Sequence, residues 1–292
     1  GVHRLGQWLN VFLGVEQTAY VEAVSRCWPI SAVARIYGPG CKADCALIME
    51  GPQGKFKSTA VHKLAGEFFT DDIGELGTKD AAMQTAGKWI IEIAELDSMT
   101  RGEVTRVKAF MSRAVDRYRP PYGRSVVEQP RQCVFVGTVN QDAWNPDETG
   151  GRRFWPVVCG AIDAQGLADS RDQLWAEAVA EYKAGATWWL DTPELNQAAE
   201  AEQSARYQGD SWDEVIFAWA TTRVESGGKD AYVTTPDVLK LCLEKPVGQW
   251  TRADEMRVSK CLKSRGWERF RGPRPEKEWR YRPQNHPKVG SK

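Results

Sequence analysis

Continuous apolar runs alternate with segments of helical spacing over most of this chain. The runs at 46–50, 88–97 and 133–140, with a further one from Phe154 to Val157, predict buried strands. Between them, Val61, Leu64, Ala65 and Phe68 mark a helix over 58–69, and Val104, Val107, Met111 and Ala114 mark another over 102–115. A short helix is expected at 80–86. Residues 1–40 have helical spacing through Leu5, Trp8, Leu9, Phe12 and Val15. Residues 170–208 read as an Ala- and Glu-rich helix with Trp175, Ala178, Val179 and Tyr182 on one face. The pattern changes near residue 211. Thr235-Pro236 opens a helix reaching Leu243, and 252–265 forms a second with Met256, Cys261 and Leu262 toward a core. Two short strands, 267–270 and 279–281, flank Gly272-Pro273-Arg274-Pro275. The expected organisation is a helical segment (1–41), an α/β core (42–169), a helical lid or connector (170–209) and a small α+β winged-helix-like domain (210–292).

Composition narrows the class. The 292 residues suffice for two domains, and 42% apolar with 27% charged residues is ordinary for a globular protein. No apolar run reaches the length of a membrane span and the start is not a signal peptide, so no membrane partner is expected. Seven scattered cysteines point to a reducing cytosol and to structural thiols rather than zinc. The opening lacks an initiator Met, and a fragment of something longer is expected. Net charge is zero but uneven. Residues 252–292 hold thirteen Lys/Arg against five Asp/Glu, a net +8 that leaves −8 on the rest. That asymmetry points to a polyanion partner for the C-terminal end, with Arg257, Lys260 and Lys263 on the second helix as contacts.

The candidate chemistry lies at strand ends. Gly51-Pro52-Gln53-Gly54-Lys55-Phe56-Lys57-Ser58-Thr59 sits between a predicted strand and a predicted helix, the context a phosphate-binding loop requires. Lys57 would reach the β- and γ-phosphates and the Ser58 hydroxyl would hold Mg²⁺, so ATP and Mg²⁺ are the expected cofactors. Phe56 stands where G-x-x-x-x-G-K-[ST] has its second glycine, and a Cβ there restricts the backbone. Taken alone, the segment also fits a Gly/Pro turn. The next strand carries Glu92, Glu95 and Asp97. Glu95, at its end, ranks first for water activation or metal positioning, with Glu92 and Asp97 behind it. Arginines and tyrosines alternate in 116–124, where Arg117, Tyr118, Arg119, Tyr122 and Arg124 suit phosphate pairing and base stacking. Asn140 ends the third strand, either to bond the γ-phosphate or attacking water or to cap a turn. Arg152 and Arg153 precede the fourth, placed for a finger acting in trans on a neighbouring nucleotide.

Five motifs together resemble the virulence-associated protein E family of phages and mobile islands. They are Gly-Pro-Gln-Gly with Lys-Ser-Thr (51–59), Glu-Ile-Ala-Glu-Leu-Asp (92–97) and Asp-Arg-Tyr-Arg-Pro-Pro-Tyr-Gly-Arg (116–124), then Val-Phe-Val-Gly-Thr-Val-Asn (134–140) and Glu-Thr-Gly-Gly-Arg-Arg-Phe-Trp-Pro-Val (148–157). The resemblance covers roughly residues 1–210. It implies a core like that of superfamily 3 helicases, AAA+-like and assembled in rings, commonly hexamers, on DNA. It places 51–59 on the phosphate loop, Glu95 with Glu92 on the acidic strand, Lys108 to Arg124 at a DNA-contacting hairpin, Asn140 on sensor 1, and Arg152 or Arg153 on the finger. The family pattern has Gly-x-Gly-Lys-Ser-Thr, from which Phe56 departs. The leading expectation is an ATP-dependent helicase or replication initiator acting on single-stranded or forked DNA. A DNA-binding assembly protein with a degenerate pocket is the alternative, and a small-molecule phosphotransferase a weaker third.

Overall fold

The apolar runs pair as the spine of the larger of two compact units, Gly1–Gln208 and Gly209–Lys292. The computed structural model describes residues 3–141, 143–145, 151–207, 209–228, 231–272 and 278–284. In chain order the first unit contains α1 (Trp8–Leu13), α2 (Ala19–Tyr37), β1 (Ala46–Glu50), α3 (Lys57–Ala65), β2 (Phe69–Thr70), α4 (Lys79–Gln84) and β3 (Ile90–Ile93). It continues with α5 (Arg101–Met111), β4 (Val115–Tyr118), β5 (Val127–Pro130), β6 (Val134–Val139), β7 (Phe154–Val158), α6 (Ala164–Lys183) and α7 (Pro193–Ala205).

The sheet order is β2-β3-β6-β1-β7, and every pairing is parallel. Parallel strands are covered on both faces, which explains why β1, β3 and β6 are buried at every position and read as unbroken apolar runs. Alternate residues feed two cores. Leu47, Met49, Val134, Val136 and Trp155 pack with α1, α2, α3 and α6 on one face. Ala46, Ile48, Ile91, Phe135 and Phe154 pack with α4 and α5 on the other. Each fully buried large side chain contributes about 1.5–3 kcal/mol. At Gly137 in β6 a Cβ would sit 2.3 Å from Leu96 Cδ1 and 2.6 Å from Ile48 Cδ1, so a side chain there would overpack the second core. Between β3 and β6 the chain makes a separate antiparallel hairpin, β4–β5.

Several expectations change. The predicted 58–69 helix stops at Ala65, where Gly66 turns at φ 63°, and Phe68 rotates off the apolar stripe to lie 50% exposed. Val115 belongs to β4 rather than to α5. The connector predicted over 170–208 is two helices, α6 and α7, and the second starts afresh with the Thr192 hydroxyl accepting from Leu195 N–H.

The second unit contains α8 (Asp213–Ser226), β8 (Val233–Thr234), α9 (Thr235–Asp237, continued by a π turn Val238–Cys242), α10 (Arg252–Ser264), β9 (Trp267–Arg271) and β10 (Trp279–Pro283). Its antiparallel sheet has the order β8-β10-β9. Ile216, Val224, Leu239, Val258, Leu262, Trp267 and Tyr281 form its core. Val258, Cys261 and Leu262 set the buried stripe of α10, so Met256, two residues before it, points outward and is 62% exposed. Thr251 and Asp254 close a capping box at the start of α10, and Lys245 Nζ donates to the same Asp254 oxygen at 2.7 Å. These bonds, Lys245 first, hold the Asp254 carboxyl at about 2, below its ordinary 3.8. A depressed carboxyl favours the fold above its unfolded value and loses that contribution as pH falls through the folded one. Unfolding midpoints should therefore show an acid step between pH 3.8 and about 2 that Asp254→Asn removes; an unchanged acid limb would contradict the assignment. Among the described residues, no helix is long and apolar enough to cross a membrane.

Candidate functional site at the C-terminal edge of the sheet

Chain order places the site. Because β6 lies between β1 and β3, the loop after β1, the carboxylates of β3 and the polar end of β6 meet at one edge. The chain leaves β1 through Gly51 (φ 145°) and Gly54 (φ 80°), backbone angles that a side chain disfavours. Phe56 then takes φ 62°, ψ 24°, the left-handed region, immediately before α3 begins at Lys57. The backbone thus adopts at Phe56 the conformation for which glycine is suited, and the phenyl ring is turned out, 64% exposed. A left-handed residue with a Cβ costs about 1–2 kcal/mol, partly offset by the extra chain freedom glycine would lose on folding. Phe56→Gly is accordingly expected to raise stability by about 0.5–1 kcal/mol in urea unfolding; a loss of stability would show that the ring packs within the subunit.

α2, α4, α5, α6, α7 and α10 each receive a Thr or Asp side chain on their first-turn N–H groups, whereas α3, like α1 and α8, has no side-chain cap. Its positive end therefore faces the loop without an internal acceptor, as an anion site requires. Lys57 is buried, and its ammonium donates to the Gly51 carbonyl, to the Pro52 carbonyl at 3.0 Å and to Asn140 Oδ1 at 3.2 Å. Burial pulls the Lys57 ammonium below its ordinary range, opposed by Cys159, Asp97 and Glu92. The Ser58 hydroxyl donates to Glu92 Oε1 at 2.6 Å, and the Thr138 hydroxyl donates to the same oxygen at 2.8 Å. Glu92 Oε2 and Asp97 Oδ1 are buried with no hydrogen-bond partner, and Asp97 Oδ2 accepts from Asn140 N–H at 3.3 Å. Buried carboxylate oxygens left unpaired are costly and mark places where a cation belongs.

This donor set fits a magnesium–nucleotide. No group of three or more His, Cys, Asp or Glu among the described residues could hold a metal by itself. Magnesium bound through a carboxylate, a hydroxyl, waters and phosphate oxygens does not need one.

The sequence model of the virulence-associated protein E-like domain matches residues 1–208. The chain belongs to this family. In fold this virulence-associated protein E-like chain is similar to the A-form apo structure of the NrS-1 C-terminal region, with TM-score 0.50 and 13% identity over 94% of this chain and 73% of that one. The apo structure of the NrS-1 C-terminal region 305–718 matches with TM-score 0.46 and 15% identity, over 90% and 74% of the two chains. No curated protein matches the sequence.

The other predicted residues of this virulence-associated protein E-like chain do not all gather at this edge. Glu95 follows β3 at the same edge, exposed and left-handed at φ 53°, whereas Glu92, not Glu95, touches Ser58. Pro52, Gln53, Lys55 and Thr59 are exposed around the loop. Arg152 and Arg153 precede β7 and lie at the opposite edge of the sheet, Arg152 exposed and Arg153 Nε 3.5 Å from Asp44. Glu148, Thr149, Gly150 and Arg274 lie outside the described residues.

Arg117, Arg119, Tyr122 and Arg124 are exposed on the β4–β5 hairpin and its tip. Tyr122 stands fully out at φ 61°. Arg119 Nε donates to the Gly123 carbonyl at 2.7 Å, Gly123 N–H donates to Pro120 C=O at 2.9 Å, and Tyr118 Oη donates to Gln129 Oε1 at 2.8 Å. Phe56, Glu95 and Tyr122 are three of the four non-glycine left-handed residues among those described, and such strain concentrates where function holds it.

Two of the expected nucleic-acid contacts have internal partners. Lys108 is buried, because it shares the core-facing stripe of α5 with Val104, Val107 and Met111, and its ammonium lies 5.1 Å from the Phe154 ring centroid. Arg257 is committed internally, bonded through Nε and Nη2 to Asp210 at 2.6–2.9 Å and stacked 3.8 Å above Trp212. Lys263 is exposed and Lys260 half-buried. Sequence reasoning missed Thr138 as a partner of Glu92; its signal was a hydroxyl two residues before Asn140, on the same strand face.

Proposed function

We propose that this chain is an ATP- and Mg²⁺-dependent DNA motor or replication initiator of a phage or mobile element, a helicase-type ATPase working in the cytoplasm. The observation that carries the reading is the meeting of Lys57, Ser58–Glu92 and Asn140 at one edge, brought about by a strand inserted between β1 and the acidic strand. The strand order and the loop support a P-loop core, and the helix–strand–helix–helix–hairpin order of the second unit supports a winged helix.

In this reading Lys57 and the open N-terminus of α3 hold the phosphates, and Ser58 with Glu92 orient the metal shell. Magnesium bound with the nucleotide supplies neutralisation of the β- and γ-oxygens. Asn140 and the exposed Glu95, with Asp97 behind them, position the attacking water. Arg152 or Arg153 serves a neighbour in a ring, with a hexamer as the expected size. The hairpin residues Arg117, Tyr118, Arg119, Tyr122 and Arg124 hold single-stranded or forked DNA, with Lys263 on the second unit. Phe56 alone favours a second reading, a DNA-binding assembly protein that binds nucleotide and turns it over poorly.

Glu92→Gln tests the metal assignment: calorimetry should show ATP binding losing its magnesium dependence, with affinity in magnesium down by about 10–100-fold. Undiminished magnesium-dependent binding would remove Glu92 from the site.

A further inference from the structure

Two features on opposite edges of the larger unit's sheet stand open to solvent. At the nucleotide edge, Phe56 displays its ring on a left-handed backbone, 64% exposed. At the other edge is a cavity of about 550 Å³ walled by Trp155, Trp188 and Trp189 and rimmed by Lys42 and Arg152. The wall is built: Trp188 Nε1 donates to the Lys42 carbonyl at 2.8 Å, and its ring meets Trp189 edge-on at 5.2 Å. Trp189 is nevertheless 49% exposed. The register pairs Ala46 with Phe154 and Glu50 with Val158, so Lys42 and Arg152 lie at the N-terminal edge of this parallel strand pair and Phe56 lies beyond its C-terminal edge. Five strand residues, about 16 Å, separate the two features, and Phe56 cannot fill its own subunit's cavity.

We propose that Phe56 of one subunit inserts into the Trp155–Trp188–Trp189 cavity of the next copy of this chain. This inference rests on the ring reading given above and specifies its contact. An apolar knob and an apolar pocket on different patches of one molecule make a heterologous contact that repeats head to tail. Aromatic residues buried in such pockets dominate interface energetics. Charge agrees with the pairing. The knob edge presents exposed Lys55 and the exposed carboxylate of Glu95, which offset each other, and receives the nucleotide's phosphates, whereas the cavity rim presents exposed Lys42 and Arg152. Asp44 faces Arg153 and Glu200 also lines the cavity, which leaves the lining net positive. Docking carries Arg152 to the neighbour's nucleotide edge, so the site is complete only with the partner copy. It also gives a reason for a phenylalanine on a backbone suited to glycine: its ring is buried by assembly rather than by folding.

The test is sedimentation of the full chain with Mg²⁺ and a non-hydrolysable ATP analogue, beside Trp189→Ala and Phe56→Gly. Each variant should weaken assembly by at least about tenfold, and Trp189→Ala should keep the monomer's affinity for ATP. A p-benzoylphenylalanine at position 56 should crosslink to the peptide carrying Trp188 and Trp189 of a mass-labelled second copy. Assembly unchanged in both variants, or crosslinks confined to other segments, would overturn the contact while leaving a ring intact. A chain that stays monomeric under every condition would overturn the ring and the contact together.

Discussion

Lys57→Ala is expected to lower ATP turnover by about 10²–10³-fold, the cost of removing one preorganised donor from a charge-stabilising site. In the structure the ammonium is already held where three oxygens of the loop and of β6 converge, so no rearrangement of the fold is needed to present it. Truncation leaves the strands and α3 in place and removes the one buried cation between the loop and Asn140. The loss should fall mainly on kcat, because negative charge develops on the leaving β-phosphate oxygens in the transition state. Steady-state hydrolysis on matched, folded samples checks it. A residual rate equal to that of the unaltered chain would mean that any hydrolysis occurs elsewhere.

The largest stability effect is expected at the foot of the hairpin. Arg131 and Asp116 are each about 1% exposed in their side chains, and two guanidinium nitrogens meet the two carboxylate oxygens at 2.5 and 2.7 Å. A third nitrogen donates to the Phe110 carbonyl, and the guanidinium lies 4.1 Å from the Phe110 ring centroid. Breaking such a pair from one side leaves the buried Asp116 carboxylate only the Thr85 hydroxyl at 3.3 Å and Arg113 Nη1 at 3.9 Å, so Arg131→Ala should cost about 3–5 kcal/mol. The pair joins the start of β4 to the residue after β5, and its loss should also loosen the hairpin that carries Tyr122. The double variant Arg131→Met/Asp116→Leu removes both charges and should be less destabilising than Arg131→Ala alone. Chemical denaturation decides this; a double variant worse than the single one would show that packing, not the unpaired charge, dominates.

Much of the larger unit was legible because its chemistry is local. A parallel sheet buried on both faces writes itself as unbroken apolar runs, and the glycine loop, the acidic residues and Asn140 each lie in or at the end of one. What stayed hidden depended on direction and distance. The ranking of Glu95 over Glu92 followed strand position. In the fold, however, Glu92 alternates onto the face toward Ser58, and β6 brings Thr138 to the same oxygen. Lys108 falls in the segment that the resemblance places at a DNA-contacting hairpin, yet its helical phase is that of Val104 and Val107. Arg257 was read as free because Asp210 lies 47 residues away in sequence. The breaks at Ala65 and between α6 and α7 came from a glycine turn and a Thr cap that periodicity alone does not weigh. Phe56 shows the reverse case. The departure from the motif was visible at once, but only the backbone angle shows that the loop keeps a glycine-like shape despite it.

Steady-state ATP hydrolysis by the unaltered chain, with and without single-stranded DNA, tests the proposed motor most directly. The account predicts magnesium-dependent turnover that rises when DNA is added, with that stimulation weakening as salt increases. No turnover in either condition would contradict it and leave a fold that binds without working.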